Sequence, residues 1–274
     1  MSPYGKFVFW EKTWKKTETT IFVDWENLLA DQKTPKQTSV FKEPDFSFNN
    51  PEQLLALIRS FLEPEEMLDQ IYFYVSEPFT ELEPRIKGNK NKELEEYKDK
   101  NPKDYEKRVD KSGIIQSFNH NIAQQNQVKL RVGRVMFEFV YGFEDKEVYG
   151  LEAKIPIPQL ELRQKQIDVL LAHDITKLYC TKQGGCILLF NKDTDFVPVL
   201  KDARKKGFEV FIANIQEGPN LVPPDLKKSC DVRERSVAEI VAKLPKVATT
   251  SNTPKKENSN EPFNNPFKDL HKKN

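Results

Sequence analysis

Four short runs rich in apolar, β-favouring residues punctuate the chain: Thr20–Val23, Ile71–Val75, Cys186–Phe190 and Phe208–Ile212. Runs of this length, bounded by polar or turn residues, predict buried strands. Between them apolar residues recur at helical spacing. Pro51–Glu52 opens a helix whose stripe is Leu54, Leu55, Leu57, Ile58, Phe61 and Leu62. Further helices are expected over Ile114–Gln127, over Gln159–Leu178 (one helix or a pair) and over Phe196–Lys206, the last ended by Gly207. Val128–Val132 alternates apolar with basic residues, the mark of a half-buried strand. Val135–Tyr141 continues it, and Gly142–Asp145 reads as a hairpin turn, giving an extra hairpin over about 128–150. Strands that alternate with helices, and are apolar throughout, predict an α/β fold with a mostly parallel sheet covered on both faces.

Two segments break this rhythm. Between Glu81 and Lys111, ten Lys/Arg and nine Asp/Glu crowd around Pro84, Gly88 and Pro102. Because those charges cancel, the stretch (about 81–112) reads as a solvated helical insertion before it reads as an RNA-contacting arm. From Lys246 onward Ser, Thr, Asn, Pro and Lys displace apolar residues, so 246–274 is expected to be a disordered tail outside a domain covering 1–245. The net charge of +1 makes no global case for nucleic acid, and any such binding must be local. Cys180, Cys186 and Cys230 form no CxxC pair, and His120, His173 and His271 lie far apart, so neither a disulfide framework nor a zinc site is expected. Free thiols buried in a reduced cytosol are the simpler expectation. The longest N-terminal apolar run, Phe7–Trp10, is too short for a signal-peptide core, and nothing approaches a membrane span, so a cytoplasmic location is expected.

Chemistry is sought where strands end, since parallel α/β sheets bind ligands outside their carboxyl edges. Asp24-Trp25-Glu26-Asn27 follows the first strand, and Asn191-Lys192-Asp193-Thr194-Asp195-Phe196 follows the third run. A single Asp at such a position is often a helix N-cap. Two acids two residues apart repel, and a cation between them would relieve that. Oxygen donors without nearby His or Cys suit Mg²⁺ or Mn²⁺. Asp168 interrupts an apolar helical stretch, Ile167 to Leu171, and is therefore a third candidate. Asp174 lies six residues on, about 240° further around a helix, and is a weaker one. His173 reads as a surface or packing residue.

These segments resemble NYN domains of the PIN-like nuclease superfamily, in their LabA-like group. Ile21-Phe22-Val23-Asp24-Trp25-Glu26-Asn27 is similar to the family's strand–D-x-x-N opening, and Lys165-Gln166-Ile167-Asp168 to its central K-x-(V/I)-D helix. Leu189 to Pro198, followed by Lys206 to Val210, resembles its S-G-D-S-D-F-x-P…G-x-x-V segment, with Asn191–Lys192 in place of Ser–Gly. The resemblance spans roughly Thr20 to Val241. It implies a three-layer α/β/α fold and a metal-dependent ribonuclease whose carboxylates hold one or two Mg²⁺ or Mn²⁺ ions. Asp24, Asp168, Asp193 and Asp195 would be the metal ligands, directly or through water. Asn27 would orient a ligand, and Thr194, Lys192 and Lys165 would contact RNA.

Two other readings compete. Asp193–Val197 superficially fits the D-x-D-x-(T/V) of haloacid-dehalogenase-like phosphatases, but that motif normally opens its domain and later paired acids are missing here. The stronger alternative is a catalytically inactive NYN-like module that binds RNA or protein.

Overall fold

A computed structural model of the protein describes residues 16–32, 46–78, 89–148 and 151–243. In chain order its elements are β1 (Thr17–Asp24), α1 (Trp25–Gln32), α2 (Pro51–Arg59), β2 (Glu66–Ser76), α3 (Asn89–Lys100), α4 (Pro102–Ala123), β3 (Val128–Val148) and β4 (Leu151–Lys165). They continue with α5 (Ile167–Thr181), β5 (Gly185–Phe190), α6 (Val197–Lys205), β6 (Phe208–Ile215), α7 (Pro224–Ser229), β7 (Asp231–Arg235) and α8 (Val237–Lys243). One seven-stranded sheet runs β4-β3-β2-β1-β5-β6-β7, parallel throughout except for β4 against β3.

The apolar strand runs are buried on both faces because helices cover both. Ile21 and Val23 of β1 pack with α1, α2, α4 and α8 on one side, through Trp25, Leu54, Ile122 and Val237. Phe22 of β1 packs on the other side with α5, α6 and α7, through Leu171, Leu200 and Leu226. The expected three-layer α/β/α architecture is what the chain adopts. Local signals hold too. The Asn50 side chain accepts hydrogen bonds from the N–H groups of Glu52 and Gln53, Pro51 takes the first turn, and Leu54, Leu55, Leu57 and Ile58 are buried.

Strand order and chain order reverse between β1 and β5: β1, β2 and β3 step outward one way, and β5, β6 and β7 the other. A crevice therefore opens at the carboxyl ends of β1 and β5.

Several expectations are corrected. The hairpin turn expected at Gly142–Asp145 lies inside β3, whose pairing with β4 continues to Val148↔Leu151. The helix expected from Gln159 begins only at Ile167, because Leu160-Glu161-Leu162-Arg163 alternates with period two and pairs with β3. Gln166, at φ 77°, makes the break between strand and helix. The charged insertion is not separate from the helix expected at Ile114: α4 runs continuously from Pro102, while 79–88 lie outside the described residues. The last strand is β7, and with α7 and α8 it was not foreseen. Of the cysteines, Cys180 is exposed whereas Cys186 and Cys230 are buried. Phe7–Trp10 and the tail also fall outside the described residues. Among the described residues no helix is long and apolar enough to cross a membrane.

Candidate active site

Asp24 ends β1, and α1 starts at the next residue, so this carboxylate serves the helix start. Its Oδ1 accepts the backbone N–H of Glu26 (3.1 Å) and of Asn27 (3.2 Å). Its Oδ2 accepts the Nδ2–H of Asn191 at 2.8 Å, from just beyond β5 across the crevice. The residue is only 6% exposed. Burial is the largest influence and pushes its pKa from 3.8 up to about 7; the nearby Asp168 charge adds to this, while the Asn27, Glu26 and Asn191 hydrogen bonds oppose it. Burying a charged carboxylate costs free energy unless a cation compensates.

Asn191 links the two sides of the crevice. Besides Asp24, its Oδ1 accepts the backbone N–H of Asp193 (2.6 Å) and the Nδ2–H of Asn27 (3.4 Å), and Asn27 Oδ1 in turn accepts the Lys192 N–H at 3.1 Å. Two asparagines thus fasten the loop after β5 to the start of α1. Sequence reasoning treated Asn191 only as a departure from a small residue. The signal that could have found it is its amide, placed at a strand end opposite Asp24.

The antiparallel hairpin explains why Asp168 comes close. β3 pairs with β2 up to Gly133, at the carboxyl rim, and then runs on alone with β4; β4 returns to that rim at Lys165, opposite Arg134. So α5 starts at the rim, with Asp168 in its first turn near enough to Asp24 to raise its pKa. Its side chain is exposed. Lys165 is likewise exposed, at the point of return.

The loop after β5 forms a turn of its own. Asp193 caps a single 3₁₀ turn, Thr194–Phe196, its Oδ1 accepting the Asp195 N–H at 3.0 Å. Asp195 and Thr194 are exposed. Lys192 is mostly buried, and its ammonium donates to the carbonyl of Asn220 at 2.7 Å. Among the described residues no three Asp, Glu, His or Cys side chains are grouped so as to hold a metal ion.

Asp174 stands apart from the site and within the core. Tyr74 donates its hydroxyl to Oδ2 at 2.9 Å, and Arg131 pairs with both oxygens. Burial and that carboxylate push the Tyr74 hydroxyl well above its usual range. Asp174 is a strut between α5 and the sheet. Glu26, which sequence reasoning passed over, is buried at the rim; Ser76 donates to its Oε1 at 3.1 Å and the Gln164 amide nitrogen lies 3.0 Å from its Oε2.

No curated protein and no solved structure matches the chain. The family described as NYN domain matches residues 18–236, which takes in every strand but the first residue of β1, and the whole of the crevice. NYN domains lie within the PIN-like superfamily, and the α/β/α layering agrees. The chain belongs to the NYN domain family, a family of nuclease-like fold.

Proposed function

We propose that this protein is a metal-dependent ribonuclease that hydrolyses phosphodiester bonds of RNA. The observation that carries the proposal is Asp24: a buried carboxylate at the sheet's switch point, electrostatically strained as an anion, with a second acid, Asp168, beside it. The donor set fits a hard cation. It is all oxygen, and Mg²⁺ commonly makes do with one or two carboxylates, completing its shell with water and phosphate. Asp24 and Asp168 would hold Mg²⁺ or Mn²⁺, with Asp193 and Asp195 reaching it through water. When bound, such an ion supplies an acidified water and neutralises charge at the phosphate.

The chain's own residues do the positioning. Asn191 and the α1 backbone hold both oxygens of Asp24 in place, so that its orientation is set before anything binds. Asn27 sits between Asn191 and the Lys192 backbone and orients what lies above Asp24. Thr194 and Lys165 are exposed for phosphate contact, and Lys192 would reach phosphate by exchanging its Asn220 carbonyl for it.

One observation favours a second reading, an inactive RNA- or protein-binding module: the Asp193 carboxylate caps its own turn, and among the described residues no three-acid group forms. A single experiment separates the two. Single-stranded RNAs are incubated with Mg²⁺ or Mn²⁺, or with EDTA, alongside Asp168→Asn. The nuclease cleaves only with metal, and the variant loses cleavage while retaining RNA binding. Binding without cleavage under every metal condition would establish the module.

A further inference from the structure

Three residues at the carboxyl rim join elements that the sheet keeps apart. Glu26 lies in the first turn of α1, Ser76 ends β2, and Gln164 is the penultimate residue of β4. The Ser76 hydroxyl donates to Glu26 Oε1 at 3.1 Å. The Gln164 amide nitrogen faces both Glu26 oxygens, at 3.0 Å from Oε2, and sits 2.6 Å from Ser76 Oγ. Asn119 of α4 donates to the Ser76 carbonyl at 3.2 Å and so fixes the end of β2. Glu26 is buried. A residue needed there only to fill space would be apolar, since Glu is almost never buried without partners. Its charge strengthens the hydrogen bonds that it accepts.

We infer that Glu26 is a positioning residue that sets Asp168 against Asp24 by clamping Gln164, an inference that rests on the nuclease reading above. Each end of the clamp adjoins an acid of the site. The Glu26 backbone N–H donates to Asp24 Oδ1 at 3.1 Å. Between Gln164 and Asp168 stand only Lys165, Ile167 and Gln166, the last at φ 77° where strand gives way to helix. In the sheet β4 is three strands from β1, about 14 Å at the usual spacing. β4 pairs with β3 alone, and β3 parts from β2 beyond Gly133. Burial of Ile167 and Leu171 holds the body of α5 on the sheet, but apolar packing is not directional. A catalytic group must be held to about 0.5 Å, and hydrogen bonds from Gln164 to a fixed carboxylate supply that constraint along the rim. Glu26 thus acts through Gln164: its backbone orients one acid and its side chain locates the strand that presents the other.

Amide hydrogen exchange of the metal-free full chain tests the clamp without any cleavage. In Glu26→Ala, exchange over residues 164–170, which include the first hydrogen bond of α5 from Leu170 N–H to the Gln166 carbonyl, should rise at least about tenfold while β5 and β6 keep the wild-type rate. Gln164→Ala should do the same, and it carries the test if Glu26→Ala misfolds. Mn²⁺ affinity without RNA, read by electron spin resonance, should fall about tenfold or more in both variants. In RNA cleavage kcat should fall about 30- to 100-fold, with KM changed less than about threefold. The double variant should be no worse than either single one, because both break the same contact. Glu26→Gln, whose amide oxygen still accepts from Gln164, should recover at least about tenfold of the loss in kcat. Unchanged exchange over 164–170 overturns the proposal, and so does a rise spread over every strand. Additive losses in the double variant also overturn it, since Glu26 would then act independently of Gln164. Should the wild type neither bind Mn²⁺ nor cleave RNA, the nuclease reading fails, and the exchange rates still decide whether the clamp places α5.

Discussion

Replacing Asp24 by Asn should stabilise the metal-free protein at neutral pH while abolishing cleavage. The folded carboxyl has its pKa raised from 3.8 to about 7. A raised acid adds nothing against the fold below its unfolded pKa, where it is neutral in both states. Its penalty grows as pH climbs from about 4 and is complete above about 7. At 1.36 kcal/mol per unit, a shift of about three units amounts to about 4 kcal/mol. Asn carries no charge, so it escapes that penalty, but its amide nitrogen meets a donor, either from Asn191 or from the α1 backbone. A mismatch of that kind costs about 1–2 kcal/mol. Asp24→Asn should therefore be more stable by about 2–3 kcal/mol at pH 8 and less stable by about 1–2 kcal/mol at pH 4. Urea unfolding in EDTA at the two pH values measures both. Saturating Mn²⁺ should reverse the order at pH 8, stabilising the wild type alone, and its apparent affinity should fall about tenfold per pH unit below about 7. Equal destabilisation of the variant at pH 4 and pH 8 would refute the reasoning, because Asp24 would then be a helix cap without electrostatic strain.

The remaining predictions concern its neighbours. Asp174→Asn removes the carboxylate charge facing the partly exposed Arg131 and one of its two acceptor oxygens, and should cost about 1–3 kcal/mol in urea unfolding; unchanged stability with lost cleavage would return Asp174 to the site. Asp193→Asn should change metal-free stability by under about 0.5 kcal/mol, since Asn caps as well as Asp, yet it should slow metal-dependent cleavage; a loss of several kcal/mol would mark a purely structural acid. A Cβ at Gly133 would meet Ile167 Cδ1 at 2.5 Å and the Lys165 carbonyl at 2.7 Å, so Gly133→Ala should lower stability by about 1–3 kcal/mol and, by shifting the start of α5, slow cleavage; a neutral result in both assays would show that the ribbon root does not set the position of Asp168.

What was legible in the sequence, and what was not, divides along range of interaction. The buried strands announced themselves because a strand covered on both faces needs apolar residues at every position, as in Ile21-Phe22-Val23. The capped α2 was equally plain, because Asn50, Pro51 and its apolar stripe act within one turn. The ribbon was misjudged because Gly142 looked like a turn when read alone; only pairing with Ile157, on a strand fifteen residues later, keeps it extended. Asp174 was ambiguous for the same reason: one buried acid on an apolar helix is equally a site or a strut until Arg131, forty-three residues away, settles it.

The ribbon nevertheless bears on the site. α5 can present Asp168 at the rim only because β4 returns antiparallel to that level, and β4 can do so only because β3 first overshoots the sheet. Had β3 turned at Gly142, a shorter return would still have reached the rim, so the position of Asp168 does not require a long ribbon. The residues from Phe143 outward therefore contribute nothing to the geometry of Asp24 and Asp168. Shortening the ribbon beyond Phe143 should therefore leave the environment of Asp24 unchanged, read as an unaltered pH dependence of metal-free stability.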